Sequence, residues 1–133
     1  MKQIIWVGNP FFHSALVEQG LRVHFQRLAE PCVLGWQELV DAAGFTPDAV
    51  VVADKSWPPF MARIENFPCL TAFYCVDSHI HGWHPVYAQA FDLCTVSLRD
   101  HAPRFAGPWS CLRNMTPSAG RPRRGTPWAS PCW

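Results

Sequence analysis

The strongest structural signal in this chain lies in residues 72–85, which read Ala72-Phe73-Tyr74-Cys75-Val76-Asp77-Ser78-His79-Ile80-His81-Gly82-Trp83-His84-Pro85. The apolar first half predicts a buried β-strand, and this strand ends at an acid that three histidines follow within one short loop. Two other apolar runs end in a similar way: residues 4–7 precede Gly8-Asn9-Pro10-Phe11-Phe12-His13-Ser14, and residues 50–53 precede Asp54-Lys55-Ser56-Trp57. Ligands of open α/β sheets bind at the carboxyl ends of the strands. The pattern therefore predicts a site that several loops share.

Strand-like and helix-like segments alternate along most of the chain. We predict strands at residues 3–7, 21–25, 49–53, 70–76 and 93–98, and helices at residues 15–19, 36–43, 58–66 and 85–91. Continuous apolar strands between helices indicate a parallel sheet that is covered on both faces. Right-handed crossovers then bring all the carboxyl ends of the strands to one edge. We therefore predict an α/β fold, a three-layer Rossmann-like domain with a parallel sheet, over residues 1–106.

Composition and charge narrow the classes of function. The chain has 133 residues, of which 49% are hydrophobic and 16% charged, and its net charge is +1. This balance gives no electrostatic reason to expect nucleic acid as a partner. No apolar run approaches the ~20 residues that span a bilayer, and no signal peptide precedes the first strand. The six cysteines form no C-x-x-C pair, so we expect a reduced, cytoplasmic protein.

The last segment, residues 107–133, departs from the pattern of the rest. It contains no Asp, Glu, Val, Ile, Phe or Tyr, but is rich in Pro, Arg and Trp. Such a composition predicts an irregular tail instead of a strand or a long helix. One interpretation is a frameshift or truncation, because GC-rich codons read out of frame give these residue types. The alternatives are an unstructured tail and an Arg- and Trp-containing tail that binds single-stranded nucleic acid.

The loop after residue 76 carries the residues that are best suited to chemistry. Asp77, His79 and His81 can form an acid/base cluster that acts on a hydroxyl group, since an imidazole can accept its proton. The same loop, with His84 added, has the residue types of a zinc or iron site, although the spacing is not diagnostic. A structural alternative is that Asp77 caps the following helix and the histidines are solvated.

The other two loops offer weaker motifs. Residues 8–14 lack the full G-x-G-x-x-G pattern, so they do not predict a dinucleotide site. Asp54 resembles a phospho-accepting aspartate, but the acidic pair that a receiver domain has after its first strand is replaced here by Gly8-Asn9-Pro10. There is no G-x-S-x-G motif and no Walker loop.

Three segments together resemble the N-terminal half of a two-domain (GT-B type) glycosyltransferase, with the closest similarity to bacterial relatives of the spore-maturation glycosyltransferases. They are Ile4-Ile5-Trp6-Val7-Gly8-Asn9-Pro10-Phe11-Phe12-His13, Val50-Val51-Val52-Ala53-Asp54-Lys55-Ser56 and Phe73-Tyr74-Cys75-Val76-Asp77-Ser78. The resemblance covers about residues 1–105. It implies that this half binds a sugar or glycan acceptor in a cleft facing a second domain, which would hold the nucleotide-sugar donor. Because such enzymes need both halves to assemble the transition state, the resemblance implies that this chain, without a donor domain, is inactive alone.

This interpretation gives each candidate residue a role. We expect Asp77, His79 and His81 to be catalytic, and we expect the acceptor to contact Gly8, Asn9, His13, Asp54 and Lys55. No cofactor and no metal ion are expected for this function. The main alternative is a small metal-dependent hydrolase that uses Asp77, His79, His81 and His84. Another is a non-catalytic ligand-binding or interaction module that docks a partner through Trp57, Trp83 and Trp109.

Overall fold

A computed structural model describes residues 2–54 and 59–105 of the chain. In chain order its elements are β1 (Gln3–Val7), α1 (His13–Glu18), β2 (Arg22–Gln26), β3 (Cys32–Leu34), α2 (Trp36–Ala43), β4 (Ala49–Ala53), β5 (Pro59–Met61), β6 (Leu70–Cys75), α3 (His84–Ala88), β7 (Leu93–Val96) and α4 (Ala102–Phe105). Two short 3₁₀ helices, Ile64–Asn66 and Arg99–His101, precede β6 and α4. No helix of the described ranges is both long enough and apolar enough to pass through a membrane.

The main sheet has five strands in the order β2-β1-β4-β6-β7, and all of its neighbouring strands are parallel. This arrangement confirms the predicted α/β fold with a parallel sheet. Counted along the chain, the strand order is 2-1-3-4-5, which is one of the two common doubly wound orders. The chain runs outward from β1 to β2 and then returns across β1 to β4. The direction of winding therefore reverses between β1 and β4, and this is where such folds bind ligands.

One face of the sheet carries the main hydrophobic core. Alternate strand residues point to this face, and apolar side chains from α2, α3, α4 and the segment before β6 cover them. The buried strand residues are Ile5, Val7, Val50, Val52, Phe73 and Cys75, and the residues that pack on them include Leu39, Ile64, Phe67, Ala88 and Phe105. Each fully buried Val, Leu, Ile or Phe side chain contributes roughly 1.5–3 kcal/mol, so this face dominates the stability of the fold.

The opposite face carries an aromatic cluster. Trp6 is the registered neighbour of Phe25 on β2, and their ring centroids are 6.4 Å apart. The Trp6 ring also lies 6.1 Å from that of Tyr74 on β6. Helix α1 contributes little to this packing, because none of its residues is buried.

Three predicted elements coincide with the structure, and one prediction is wrong. The predicted strands at residues 3–7 and 49–53 and the predicted helix at residues 36–43 have the observed bounds. The helix predicted at residues 58–66 is instead a strand, β5, followed by a 3₁₀ helix. Strand β5 pairs in parallel with β3, which was not predicted, and forms a second sheet of two strands. The predicted tail at residues 107–133 lies outside the described residues.

Candidate functional site

The loop after β1 approaches the end of β4 most closely at Gly8. The backbone N–H of Gly8 donates to the carbonyl oxygen of Gln26 at 3.0 Å, and its φ is +103°. A Cβ atom at this position would lie 2.7 Å from the carbonyl oxygen of Ala53. Only glycine lets the loop pass this close without displacing the backbone of β4. The contact lies where the winding of the sheet reverses, so Gly8 shapes the floor of the candidate site.

Beyond Gly8, the same loop builds an aromatic surface. The indole N–H of Trp6 donates to the carbonyl oxygen of Asn9 at 2.6 Å and fixes the start of the loop. The rings of Phe11 and Phe12 then stand edge-on to Tyr74, at centroid distances of 5.7 and 5.5 Å. Phe12 is 54% exposed although it is large and apolar. An exposed aromatic surface therefore lies beside the carboxyl ends of β1 and β6.

Exposed polar side chains lie on the two loops that follow β1 and β6. Asn9 and His13 are both exposed, and the imidazole of His13 packs edge-on against Phe25 at a centroid distance of 4.7 Å. His79 on the loop after β6 is also exposed, with its ring 6.4 Å from that of His101. These amide and imidazole groups can donate or accept hydrogen bonds from the solvent side.

Asp54 follows β4 directly and is buried, with 3% of its surface exposed. Its Oδ2 atom accepts a hydrogen bond from the backbone N–H of Asp77 at 2.8 Å. Asp54 and Asp77 therefore lie at the same edge of the sheet, as the parallel topology predicts. The carboxylate of Asp54 faces inward, where it supports the loop after β6.

The same Asp54 oxygen belongs to a buried cluster with Cys75 and His84. The thiol of Cys75 donates to Asp54 Oδ2 at 3.4 Å, and Cys75 Sγ lies 3.3 Å from His84 Nδ1. The third separation, between His84 Nδ1 and Asp54 Oδ2, is 3.9 Å. Cys75 and His84 are both fully buried. Three elements thus meet here, since Cys75 ends β6, His84 begins α3 and Asp54 follows β4.

The protonation of this cluster follows from its burial. Burial, reinforced by the charge of Asp54, raises the pKa of the Cys75 thiol well above its ordinary value. Burial lowers the pKa of His84 despite the opposing effect of Asp54. In the cluster as it stands, with no bound cation, the thiol of Cys75 therefore keeps its proton and the imidazole of His84 is neutral. A protonated, inaccessible thiol is a poor nucleophile, so the cluster does not resemble an activated cysteine.

The loop between β6 and α3 is anchored at several points. The Asp77 carbonyl oxygen accepts the backbone N–H of Ile80 at 3.0 Å, which forms a turn. Ser78 is fully buried, and its hydroxyl lies 3.2 Å from Nδ1 of His101. The N-cap of α3 is Trp83. Asp77 is therefore not the residue that caps this helix, contrary to the structural alternative drawn from the sequence.

The histidines of this loop have different environments. His79 is exposed, His81 is half-buried and His84 is buried. The His81 ring packs between Trp83 and His84, at centroid distances of 5.6 and 5.0 Å. The loop therefore presents His79 to solvent and directs His84 into the core.

The ligand set proposed from the sequence for a metal-dependent hydrolase does not assemble. Among the described residues, the one group of His, Cys, Asp or Glu ligand atoms lying within 4.8 Å of one another is Asp54, Cys75 and His84. Asp77, His79 and His81 do not join it. Lys55, Trp57 and Trp109 fall outside the described ranges, so the predicted roles of these three residues remain predictions. Trp83, the other tryptophan of the proposed docking module, is half-buried.

Sequence reasoning missed Cys75 and the connection between His84 and Asp54. Cys75 lies in an apolar strand, where a thiol ordinarily packs as a small hydrophobic group. The signal that could have identified it is the alternation of side chains between the two faces of a strand. Phe73 and Cys75 share the core face of β6. A polar group directly after a neighbouring strand can reach that same face.

The chain was also compared with known proteins. No protein-family model, no curated protein and no solved structure gave a match.

Proposed function

We propose that this chain is the acceptor-side domain of a sugar-nucleotide-dependent glycosyltransferase of the GT-B type, which binds a sugar or glycan at the carboxyl edge of its sheet. The observation that carries the proposal is an exposed aromatic surface with exposed polar groups on the same loop, where the winding of the sheet reverses. Asn9 and His13 are exposed on the loop that carries the exposed Phe12, and His79 is exposed on the loop after β6. In doubly wound folds, this place is the usual ligand crevice.

The chemistry of this surface suits a saccharide. A sugar ring has apolar C–H faces and a rim of hydroxyl groups, so it needs an aromatic surface with hydrogen-bonding groups at its border. Phe11 and Phe12 supply the aromatic surface, and Asn9 and His13 can bond hydroxyl groups. Gly8 keeps the floor open, because a side chain there would meet the backbone of Ala53.

The loop after β6 supplies the proposed acid/base groups. His79 is exposed on this loop, so its imidazole can accept a proton from an acceptor hydroxyl. Asp77 and His81 are half-buried beside it. In this proposal Asp54 supports the loop after β6 and does not contact the acceptor. Its carboxylate accepts a hydrogen bond from the backbone N–H of Asp77 and is buried. Lys55 remains a predicted acceptor contact.

The proposal concerns acceptor binding and leaves the donor to another domain, as the resemblance implies. Binding of an isolated saccharide should be weak, with a dissociation constant on the order of millimolar, because an open surface provides only part of the enclosing contact. A nucleotide sugar should bind no more tightly than the sugar it carries, since in this proposal another domain recognises the nucleotide.

The test is a titration of the full chain with a panel of monosaccharides, short glycans and nucleotide sugars, followed by ¹H–¹⁵N NMR. At least one saccharide should shift the resonances of residues 9–13 and 77–81. His79→Ala should weaken this binding, and His24→Ala, in the middle of edge strand β2, is the matched control that should not. The proposal fails if no saccharide shifts these resonances, or if the two variants behave alike. Tighter binding of nucleotide than of sugar would assign the edge to a donor.

A further inference from the structure

The buried cluster formed by Asp54, Cys75 and His84 has a feature that packing alone does not explain. Oδ1 of Asp54 and Nε2 of His84 are both buried, and neither has a hydrogen-bond partner among the described residues. Buried polar atoms in folded proteins are nearly always paired, and an unpaired one needs an explanation, of which a bound ion or water is one. Oδ1 belongs to the carboxylate of the cluster and is available to a further ligand, whereas Nε2 lies across the imidazole ring from the Nδ1 that faces the cluster.

The three ligand-type atoms form a triangle of a characteristic size. Its sides are 3.3 Å from Cys75 Sγ to His84 Nδ1, 3.4 Å from Cys75 Sγ to Asp54 Oδ2, and 3.9 Å from Nδ1 to Oδ2. Tetrahedral zinc, with bonds near 2.3 Å to sulfur and 2.0–2.2 Å to nitrogen and oxygen, separates such ligands by about 3.4–3.6 Å. The observed triangle thus approximates one face of a zinc tetrahedron and needs only shifts of a few tenths of an ångström.

Charge points to the same kind of ligand. The Asp54 carboxylate is buried, and the basic side chain nearest to it within the described ranges is the imidazole of His84, at 3.9 Å. An uncompensated buried carboxylate is costly. A divalent cation bound to the carboxylate and to the Cys75 thiolate would give a site of zero net charge. Binding would release the thiol proton to solvent, as metal binding to cysteine does.

We propose that Asp54, Cys75 and His84 bind a divalent transition-metal ion, with zinc as the best fit. Mixed sulfur, nitrogen and oxygen ligands select zinc or a chemically similar ion over magnesium or calcium, which prefer oxygen ligands alone. The unpaired Oδ1 of Asp54 is available as a fourth donor, and a water molecule is the other candidate for that position. Because the ligands are buried, the ion has a structural role instead of the role of a hydrolytic centre.

The position of the ion would allow it to connect three elements of the fold. It would tie the end of β4, through Asp54, and the end of β6, through Cys75, to the first residue of α3. The loop that it closes contains Asp77, His79 and His81. The metal would thereby fix the loop assigned above to acceptor binding. The metal site does not depend on that assignment, and it can be tested without any saccharide.

The first test uses the wild-type chain. The protein is stripped of metal with a chelator under denaturing, reducing conditions, refolded and titrated with cobalt(II), the spectroscopic substitute for zinc. We expect one equivalent to bind, with the visible bands of tetrahedral cobalt and a near-ultraviolet thiolate-to-cobalt charge-transfer band. Folded protein, verified by circular dichroism, that shows no charge-transfer band overturns the proposal.

The second test identifies the ligands. X-ray absorption of the zinc-loaded wild type should show one sulfur at about 2.3 Å and nitrogen or oxygen ligands at about 2.0–2.2 Å. Two or more sulfurs per zinc would place the ion on other cysteines and overturn the proposal. Cys75→Ser should lose the cobalt charge-transfer band, whereas Cys32→Ser, on β3 in the small sheet, should keep it. A band that survives in folded Cys75→Ser would also overturn the proposal. The wild-type absorption result stands if Cys75→Ser does not fold.

Discussion

Two residues of the loop between β1 and α1 have positive φ, for different reasons. Gly8 has a φ of +103° and lies against the backbone of β4, so the close approach of two strand ends requires it. Phe12 has a φ of 60° although it is not glycine, and it is also exposed. A left-handed non-glycine residue costs of order 1–3 kcal/mol, and such strain is commonly found at functional sites. This strain, together with the exposed ring, is consistent with the acceptor-binding role proposed for the loop.

Gly8→Ala should destabilise the fold much more than a comparable change elsewhere. The new Cβ would lie 2.7 Å from the Ala53 carbonyl oxygen, and alanine would also be held at a strained φ. We expect a loss of roughly 2–4 kcal/mol in the free energy of unfolding, measured by urea denaturation. Gly20→Ala is the matched control: Gly20 has a φ of +73°, but a Cβ added there would meet no atom within 4 Å. It should lose only about 1–2 kcal/mol, from backbone strain alone. Equal losses in the two variants would contradict the close approach at Gly8.

Strand β6 is joined to the beginning of β7 by a reciprocal pair of residues. Thr71 is fully buried, and both its backbone N–H and its hydroxyl donate to Asp92 Oδ2 at 2.8 Å. In return, the backbone N–H of Asp92 lies 3.0 Å from the Thr71 hydroxyl oxygen, which accepts its hydrogen bond. This pair fixes where the chain leaves α3 and enters β7, so it sets the register of the last strand of the sheet.

Thr71→Val should therefore destabilise the protein although it keeps the shape of the side chain. The variant removes the hydroxyl that bonds the carboxylate and the backbone of Asp92, at a cost of about 1–3 kcal/mol. Urea denaturation measures this change. Thr95→Val, at an exposed position of β7, is the control and should stay within about 0.5 kcal/mol of the wild type. The role of the pair is disproved if both variants unfold at the same urea concentration.

The elements that the sequence predicted well are those with a strong local pattern. The run at residues 49–53 is apolar throughout, and the helix at residues 36–43 has its apolar positions at helical spacing and ends at Gly44, whose φ is +70°. Strands β3 and β5 were missed because each has three residues and forms through pairing with the other. Such pairing between distant segments overrides local propensity and leaves little trace in either segment.

The candidate site was predictable in outline for a similar reason. Parallel topology alone brings the residues after β1, β4 and β6 to one edge, and Asp54 and Asp77 do meet there. That Asp54 turns inward follows from the alternation of β4, because Val50 and Val52 face the core and Asp54 is the next residue on that side. The sequence could not pair Cys75 with His84, since that contact depends on how α3 docks on the sheet.

In the molecule as a whole, the buried cluster of Asp54, Cys75 and His84 connects the hydrophobic core with the exposed carboxyl edge of the main sheet. The core face of the sheet continues through Phe73 and Cys75 to His84, whose ring centroid is 5.6 Å from that of Phe73. On the solvent side of the same loop, His79 is exposed. A change in the cluster should therefore affect global stability and the loop together, because the two share the segment between β6 and α3.

The proposed metal ion makes the stability of the whole chain depend on free zinc. An ion that binds the folded state alone stabilises it by about 2.7 kcal/mol when its free concentration is 100 times its dissociation constant, and stability rises with the logarithm of concentration. Urea denaturation at buffered free zinc concentrations should show this rise, and magnesium should not reproduce it, because the cluster includes a thiol. The stability of Cys32→Ser should still rise with zinc, and that of Cys75→Ser should not. A wild-type midpoint that is constant across the zinc series would show that the cluster is held by its hydrogen bonds alone.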